Sequence, residues 1–402
     1  MHDYLIILFS TLCAGTFFGC TVEGSAGTHA AVIEPLSEHL QQTYAPDRRT
    51  ARVELELQDD QLVGYTTVEE AMDSLSKFAE QNQLTNQVRL LPDTAVGGGT
   101  VGIINVAVAN LRSAPGHSQE LATQALLGTP VRVLDRQNDW LLVQTPDRYI
   151  AWLEPGAMVR LTAGEAREWF GESIRIYAGP GTELRTEPKH GEVLSTLVSG
   201  SFVSLLPNEE SGAYSRVRLP DGVAGYVETA HLFPIGERWR PKPFTGQDIL
   251  AEARRLAGRP YLWGGTSPNG MDCSGFTKMA YYTRGYVVPR DASQQVHAGE
   301  EIPLSDDFAA LKPGDQLFFG SYRDDGSMRV THTGFYLGNG RFLHAGADNG
   351  RIRENSLVAG DEDFAEHRLR SLLAARRLRA KTTGVVPVGK AFTALLTGPK
   401  SN

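Results

Sequence analysis

The feature that most constrains the fold is an internal repeat between about residues 101 and 235. Three blocks recur in the same order: NLRSAPG and ELRTEPKHG, GTPVRVLD and GSFVSLLP, WLLVQTPDRYIAWL and YSRVRLPDGVAGYV. The offset between the paired blocks is nearly constant, about 72 to 74 residues, which makes chance similarity improbable. Each copy consists of short β-type runs separated by Gly, Pro, Asn and Asp. We therefore expect two copies of one small β-barrel.

The order of features within each copy resembles bacterial SH3 domains. A Leu-Arg pair near a turn is followed by a Gly-rich bend, a strand, and two strands around a Pro-Asp turn. This resemblance implies barrels that bury a few alternating apolar residues and leave their loops free for peptide ligands. In the first copy, the candidates for the inward face are Val131, Val133, Leu142, Ile150 and Trp152.

Further segments flank the repeat. The chain has 402 residues, enough for two to four compact domains, because single cores rarely grow far beyond ~250 residues. Helical spacing of apolar residues in TVEEAMDSLSKFAEQNQL predicts amphipathic helices before the glycine run VGGGT. The expected units are a signal peptide (1–20), an N-terminal helical segment (21–98), two SH3-like domains (99–163 and 164–236), a mixed α/β domain (245–380) and a C-terminal tail (381–402).

The N-terminus is typical of an exported protein. The apolar stretch from Leu5 to Phe18 is too short for a membrane span of ~20 residues but fits a signal-peptide core. Gly19 precedes Cys20, and the following polar residues complete a resemblance to the cleavage and lipidation site of bacterial lipoproteins. We expect a protein of the cell envelope that meets the membrane only through a lipid on Cys20. A simple secretory signal cut nearby is the alternative.

The charge balance argues against one class of partner. The formal net charge is −8, so the chain has no basic surplus with which to neutralise phosphates. We therefore expect no nucleic-acid partner.

The cysteine count singles out Cys273 in YLWGGTSPNGMDCSGF. Cys13 and Cys20 belong to the signal region, so the exported chain would keep one free thiol with no disulfide partner. Three interpretations are open: a nucleophile, a ligand of a Cys-His-His zinc site, or a small buried hydrophobe. The sequence predicts a helix that begins at the cysteine, capped by Asp272, and the helix N-terminus is expected to lower the pKa of the thiol.

Two histidines could serve this thiol. His332 and His344 lie on opposite arms of a hairpin predicted in HTGFYLGNGRFLHA, around Gly338-Asn339-Gly340. If they are near neighbours across the strands, His332 can deprotonate Cys273 while His344 fixes its tautomer. An upstream helix capped at Thr245 and a strand in DQLFFG complete the predicted core of this domain.

Residues 245 to about 380 resemble NlpC/p60-type cell-wall cysteine peptidases, which have a papain-like α+β fold. The motifs YLWGG…DCSGF, PRDASQQ, LKPGDQLFF and HTGFYLGNGRFLHA stand in the family's order. The resemblance implies that Cys273, His332 and His344 hydrolyse peptidoglycan stem peptides, with Tyr261 helping to form the oxyanion site. It implies no cofactor and no metal.

Two SH3-like domains before such a domain resemble the γ-D-glutamyl-L-diamino acid endopeptidase subgroup. This implies a substrate with a free N-terminal L-alanine, whose ammonium is held by an acidic residue, here Glu120. The further candidates for substrate binding are Asp272, Ser274, Asp291, Ser293, Tyr149 and Trp152. The expected partners are peptidoglycan-derived peptides. The alternatives are a wall-binding lipoprotein without activity and an amidase or acyltransferase of the same fold acting on another amide.

Overall fold

The computed structural model of the protein describes residues 26–93, 96–97, 99–171, 173–235 and 243–396. The predicted signal peptide and Cys20 lie outside these residues. Within the described part of the chain, no helix is both long and apolar enough to cross a membrane.

The N-terminal unit is a three-stranded sheet packed against two helices. Its elements are α1 Ala26–Tyr44, β1 Val53–Gln58, β2 Gln61–Thr66, α2 Ala71–Gln81 and β3 Thr85–Leu90. Strand β2 pairs antiparallel with β1 and parallel with β3. Helix α2 connects β2 to β3.

The predicted helical segment 21–98 is therefore only partly correct. The helical spacing of apolar residues correctly predicted α2, whose Leu75 is fully buried. The three strands were not predicted from the sequence. The residues Val53, Leu55 and Leu57 alternate with polar residues, which is a strand period, and both they and α2 contribute to the same apolar cluster.

The two repeat copies each form a seven-stranded sheet. The first consists of β4 Val101–Ile104, β5 Val108–Arg112, β6 Leu121–Leu126, β7 Pro130–Gln137, β8 Trp140–Gln144, β9 Ile150–Leu153 and β10 Met158–Leu161. The helix α3 Ala163–Trp169 follows. The second consists of β11 Ile174–Tyr177, β12 Thr182–Arg185, β13 Val193–Leu197, β14 Phe202–Ser211, β15 Tyr214–Arg218, β16 Ala224–Glu228 and β17 Leu232–Pro234.

The inward candidates of the first copy are all buried, as predicted. They divide between two clusters. Val131 and Val133 pack in the main core of this domain, whereas Trp152 packs with Leu142 and Ile150 in a second cluster.

The C-terminal α+β domain places a helix against a six-stranded antiparallel sheet. Its elements are α4 Gly246–Arg255, β18 Thr266–Ser267, β19 Gly270–Met271, α5 Cys273–Tyr282, β20 Tyr286–Val287, α6 Ala292–Gln295, β21 Glu300–Ile302, β22 Gln316–Tyr322, β23 Met328–Gly338, β24 Arg341–Gly346, β25 Arg351–Ser356, α7 Glu366–Arg370 and β26 Leu372–Arg377. The strand order is β21-β26-β22-β23-β24-β25. The predicted cap at Thr245, the helix starting at Cys273 and the β23–β24 hairpin are confirmed.

The segment named as a tail, 381–402, is folded over its described part. Val386–Pro387 forms β27, which pairs with β20, and α8 Val388–Leu396 follows. Phe392 of α8 packs in the core of the α+β domain, and the Arg132 side chain of the first SH3-like sheet donates to the Ala394 carbonyl over 2.8 Å.

The first SH3-like sheet and the α+β domain meet through β6 and β18. The Thr266 backbone N–H donates to Gln124 Oε1 over 3.0 Å, and the Gln124 backbone N–H donates to Thr266 Oγ1 over 2.8 Å. Beside them Gly264 has a φ of +75°, and a Cβ placed there would lie 2.0 Å from the Leu121 carbonyl oxygen. Only glycine allows this approach.

We expect Gly264→Ala to destabilise the protein more than Gly258→Ala. Gly258 has a similar φ of +80° but open space around it, so alanine there adds only the left-handed backbone cost of about 1–2 kcal/mol. At position 264 a clash with Leu121 adds roughly 1–3 kcal/mol. Thermal or urea unfolding of the two variants measures the difference, and equal losses would contradict the tight contact between the domains.

Candidate active site

Cys273 lies at the first position of α5, where its side chain meets strand β23. Asp272 caps this helix by accepting the Gly275 backbone N–H at 2.7 Å. The backbone groups of Ser274 and Thr333 hydrogen-bond the sulfur. The thiol therefore lies against β23 at Thr333, the residue that follows His332 in the sequence.

The predicted lowering of the thiol pKa is wrong for this structure. Burial, and then the charge of Asp272, raise the pKa of Cys273 to about 12. The helix N-terminus does favour a thiolate, but the Asp272 carboxylate that caps it offsets that effect, and a side chain only 7% exposed loses most of its hydration. The resting thiol is neutral.

The two histidines are in direct contact, as the hairpin predicted. His332 Nε2 and His344 Nδ1 are 2.8 Å apart, and both side chains are buried. Phe335 pairs with Leu343 across the strands, so Gly334 lies opposite His344. A Cβ at Gly334 would lie 2.8 Å from His344 Cβ, so this glycine leaves room for the imidazole pair.

Asn355 on β25 fixes which ring nitrogens carry protons. Its amide nitrogen donates to the Asp363 carbonyl over 2.9 Å, which turns its oxygen toward His344 Nε2 at 3.1 Å. The Asn355 oxygen is a nearer partner of His344 Nε2 than the Asn349 amide nitrogen at 3.4 Å, which favours a proton on Nε2 and leaves Nδ1 as an acceptor for His332 Nε2–H. The remaining nitrogen of His332, Nδ1, keeps a free lone pair.

Both imidazoles are held neutral. Burial, followed by the charge of His344, lowers the pKa of His332 well below 6.5. Burial likewise lowers the pKa of His344 to about 4, and the hydrogen bond to Asn355 offsets part of this shift. A neutral thiol can react through a neutral imidazole when that imidazole takes the thiol proton as a general base.

A cleft of about 380 Å³ leads to the sulfur from the first SH3-like domain. Six predicted substrate-binding residues line it: Glu120, Tyr149, Asp272, Ser274, Asp291 and Ser293. At its mouth the Trp263 indole N–H donates to Glu120 Oε1 over 2.5 Å. A larger cleft, about 880 Å³, shares Arg49 and Ser293 with the first but is not lined by Cys273.

Asp272 and Ser274 line this cleft but are occupied by Arg290. Arg290 Nη2 donates to Asp272 Oδ2 over 2.6 Å, and Arg290 Nη1 donates to Ser274 Oγ over 2.9 Å. Asp272 also accepts the Gly264 and Gly275 backbone N–H groups. Their predicted role as substrate contacts is therefore revised to organisation of the site.

Two further predicted residues lie outside the lining of the cleft. Trp152 is a core residue, since it packs with Leu142 and Ile150 and is 7% exposed, so its assignment to the cleft is wrong. Tyr261 lies within electrostatic reach of the thiol, because burial and then the charges of Cys273 and Asp272 raise its pKa to about 12.

Four residues of the site were missed by sequence reasoning. Trp263 stood inside the quoted YLWGG motif, and Arg290 stood inside PRDASQQ. Asn355 and Arg49 carry no local signal, because β25 and the N-terminal unit reach the site only through the fold. Among the described residues, no group of three or more His, Cys, Asp or Glu side chains is arranged to hold a metal ion.

Comparison with family models gives two matches along the chain. The NlpC/P60 family model matches residues 258–366, and the bacterial dipeptidyl-peptidase SH3 domain model matches residues 111–157. The second family match covers most of the first repeat copy. The matched residues of the first model include Cys273, His332 and His344.

Comparison with individual proteins gives relatives that match more than half of this chain. Dipeptidyl-peptidase 6 of Lysinibacillus sphaericus is 28% identical over 63% of this chain and 91% of its own length. Gamma-D-glutamyl-L-lysine dipeptidyl-peptidase of Bacillus subtilis is 31% identical over 56% of this chain and 72% of its own. The protein of that name from Bacillus cereus is 30% identical over 57% and 68%.

A solved structure shows the same fold. The crystal structure of an NlpC/P60 family protein from Bacillus cereus covers 69% of this chain and 99% of its own, with a TM-score of 0.57 and 24% identity. At that identity the likeness supports the architecture alone. The family-model match and the relatives at 30% and 31% identity, each covered over more than two thirds of its length, show that the chain is a multidomain cysteine peptidase belonging to the NlpC/P60 family.

Proposed function

We propose that the protein hydrolyses the bond between γ-D-glutamate and the diamino acid in peptidoglycan stem peptides whose N-terminal L-alanine is free. The observation that carries this proposal is that Glu120 and Cys273 line one cleft. A carboxylate at the mouth of the cleft pairs with an α-ammonium. It discriminates against an acylated nitrogen, because that nitrogen carries no positive charge to pair with the carboxylate. Two relatives named gamma-D-glutamyl-L-lysine dipeptidyl-peptidase support the choice of bond.

The proposed reaction begins when His332 Nδ1 takes the Cys273 proton. The sulfur attacks the γ-carbonyl carbon of D-glutamate, and the backbone N–H of Cys273 and the Tyr261 hydroxyl stabilise the oxyanion. His332 then protonates the leaving amine of the diamino acid, and a thioester remains on Cys273. His332 next deprotonates water, and the resulting hydroxide attacks the thioester carbonyl. L-Ala-D-Glu is released, and the proton returns from His332 to the sulfur.

A series of hydrogen bonds from His332 through His344 and Asn355 to the Asp363 carbonyl positions His332. Each hydrogen bond in it has one permitted direction, because the Asn355 amide nitrogen is committed to the Asp363 carbonyl. The uncharged relay holds the tautomer and still permits His332 to become cationic transiently.

We further propose that residues 1–20 direct export and that Cys20 is lipidated. The polar stretch after Gly19-Cys20 supports this. The family's cell-wall relatives suggest an exported or envelope-associated protein. Labelling with a palmitate analogue, compared between the intact protein and Cys20→Ala, tests the lipid.

Free and N-acetylated L-Ala-γ-D-Glu-L-Lys should be cleaved at very different rates. A charge-assisted hydrogen bond contributes about 1.5–3 kcal/mol, so we expect kcat/KM to fall about 10- to 100-fold on acetylation, and Glu120→Gln to remove most of this preference. Glu154→Gln, an exposed glutamate of the same domain, should retain it. Chromatography of the products measures each rate, with Cys273→Ser as the inactive control. Failure of the intact protein to cleave either peptide would contradict the proposed function.

The acid limb of kcat/KM should lie well below pH 6.5. Because the pKa of His332 is lowered well below 6.5, the base remains unprotonated as pH falls through that value. Between pH 5 and 7 the substrate ammonium, of pKa ~8, keeps its charge. A pH profile over this range should be nearly flat above pH 6. A midpoint at or above pH 6.5 would contradict a buried base whose pKa is lowered.

Asn355→Ala should lower kcat by roughly tenfold or more, because general-base catalysis needs the correct tautomer. Asn355→Asp keeps an oxygen that accepts the His344 Nε2–H and should retain more activity. Steady-state kinetics of both variants, with circular dichroism to verify folding, test the relay. Equal losses in the two variants would rule out a tautomer-fixing role for Asn355.

A further inference from the structure

The N-terminal unit, which neither family model covers, delivers one side chain into the substrate cleft. Arg49 lies in the connection between α1 and β1 and lines the cleft together with Cys273. Its Nη1 donates to Asp291 Oδ2 over 2.8 Å and to Ser293 Oγ over 2.9 Å. These two residues belong to the α+β domain, more than 240 positions further along the chain.

The backbone of this connection is docked firmly on both neighbouring domains. The Ile150 N–H of the first SH3-like domain donates to the Arg49 carbonyl over 2.6 Å. Gln294 Nε2 of the α+β domain donates to Asp47 Oδ2 over 2.6 Å. Asp47 in turn accepts from Arg49 Nε and Nη2. The guanidinium is therefore held in a fixed orientation at the cleft wall.

Two guanidinium groups line the cleft, and only one of them can meet a ligand. Arg290 is 1% exposed, and its nitrogens donate to Asp272, Ser274 and Thr123. The Arg49 side chain is 36% exposed. Four of its five N–H groups donate to Asp47, Asp291 and Ser293, and the fifth, on Nη2, has no partner among the described residues.

The charges of the cleft show why this cation matters. Three carboxylates line it, Glu120, Asp272 and Asp291, against Arg49 and Arg290. Such a surface attracts the L-alanine ammonium but repels an anion unless Asp291 is paired. In a γ-linked D-glutamate, however, the α-carboxylate is free and must enter the same cleft.

We propose that Arg49 is a specificity residue whose guanidinium receives the free α-carboxylate of the γ-linked D-glutamate. This inference rests on the proposed function. It gives the N-terminal unit a role in substrate selection: the unit supplies the cation that makes the cleft accept an anionic residue next to the scissile bond. Peptides whose α-carboxylate is amidated should lose this contact.

The test compares L-Ala-γ-D-Glu-L-Lys with the α-amide, L-Ala-γ-D-isoglutaminyl-L-Lys, in the full chain and in two variants. Arg49→Gln removes the charge. Arg48→Gln is the matched control, because Arg48 is the exposed neighbouring arginine, which lies 4.0 Å from Glu54 and does not line the substrate cleft. We expect the intact protein to favour the acid over the amide about 10- to 100-fold in kcat/KM, mainly through KM. Arg49→Gln should bring the ratio close to one, and Arg48→Gln should leave it unchanged.

A loss in Arg49→Gln of the same factor for both peptides would overturn the proposal, since a merely structural role does not distinguish acid from amide. An intact protein with no preference between the peptides would also overturn it. If neither peptide is cleaved, the proposed function fails. Calorimetric binding of L-Ala-D-Glu against L-Ala-D-isoglutamine to the intact protein and Arg49→Gln then decides the role of Arg49 separately.

Discussion

The buried ion pair between Arg290 and Asp272 is the interaction on which the active site depends. Asp272 accepts hydrogen bonds from the Arg290 side chain, from the Gly275 N–H at the start of α5 and from the Gly264 N–H, next to Trp263 at the mouth of the cleft. Arg290 also donates to Thr123 of the first SH3-like sheet. Removing one partner of such a pair leaves an uncompensated buried charge, at a cost of about 3–5 kcal/mol. One pair of charges thus holds Cys273, the proposed nucleophile, together with the mouth of the cleft and the contact between two domains.

This arrangement bears on the proposed mechanism, in which a neutral thiol is the nucleophile. The carboxylate that positions the catalytic helix also opposes a resting thiolate, and burial acts in the same direction. Reactivity must then come from proton transfer to a base that is already oriented. The relay from Asn355 through His344 supplies that orientation without any charge of its own. The site combines rigid positioning with a resting state in which Cys273 and both histidines are uncharged.

The sequence predicted the local parts of this site well and the long-range parts poorly. The helix beginning at Cys273 and the hairpin that joins His332 to His344 are encoded by a cap residue and a Gly-Asn-Gly turn, which act over a few residues. Trp152 was assigned both to the core and to the cleft, because an aromatic residue on an alternating strand gives the same sequence pattern in either place, and only the core assignment is correct. Arg49 could not be found, because only tertiary packing brings its unit to Asp291. The predicted lowering of the Cys273 pKa was wrong because burial raises this pKa more than the helix N-terminus lowers it, and no short motif reports burial.

The central claim is that one cleft, built by the N-terminal unit, the first SH3-like domain and the catalytic domain, holds the N-terminal dipeptide of the substrate. A crystal structure of the Cys273→Ala variant with L-Ala-γ-D-Glu-L-Lys tests it most directly. The account predicts the alanine ammonium within hydrogen-bond distance of Glu120, the α-carboxylate at Arg49 and the γ-carbonyl at the position of the missing sulfur. A peptide bound with its ammonium away from Glu120, or outside this cleft, would contradict it.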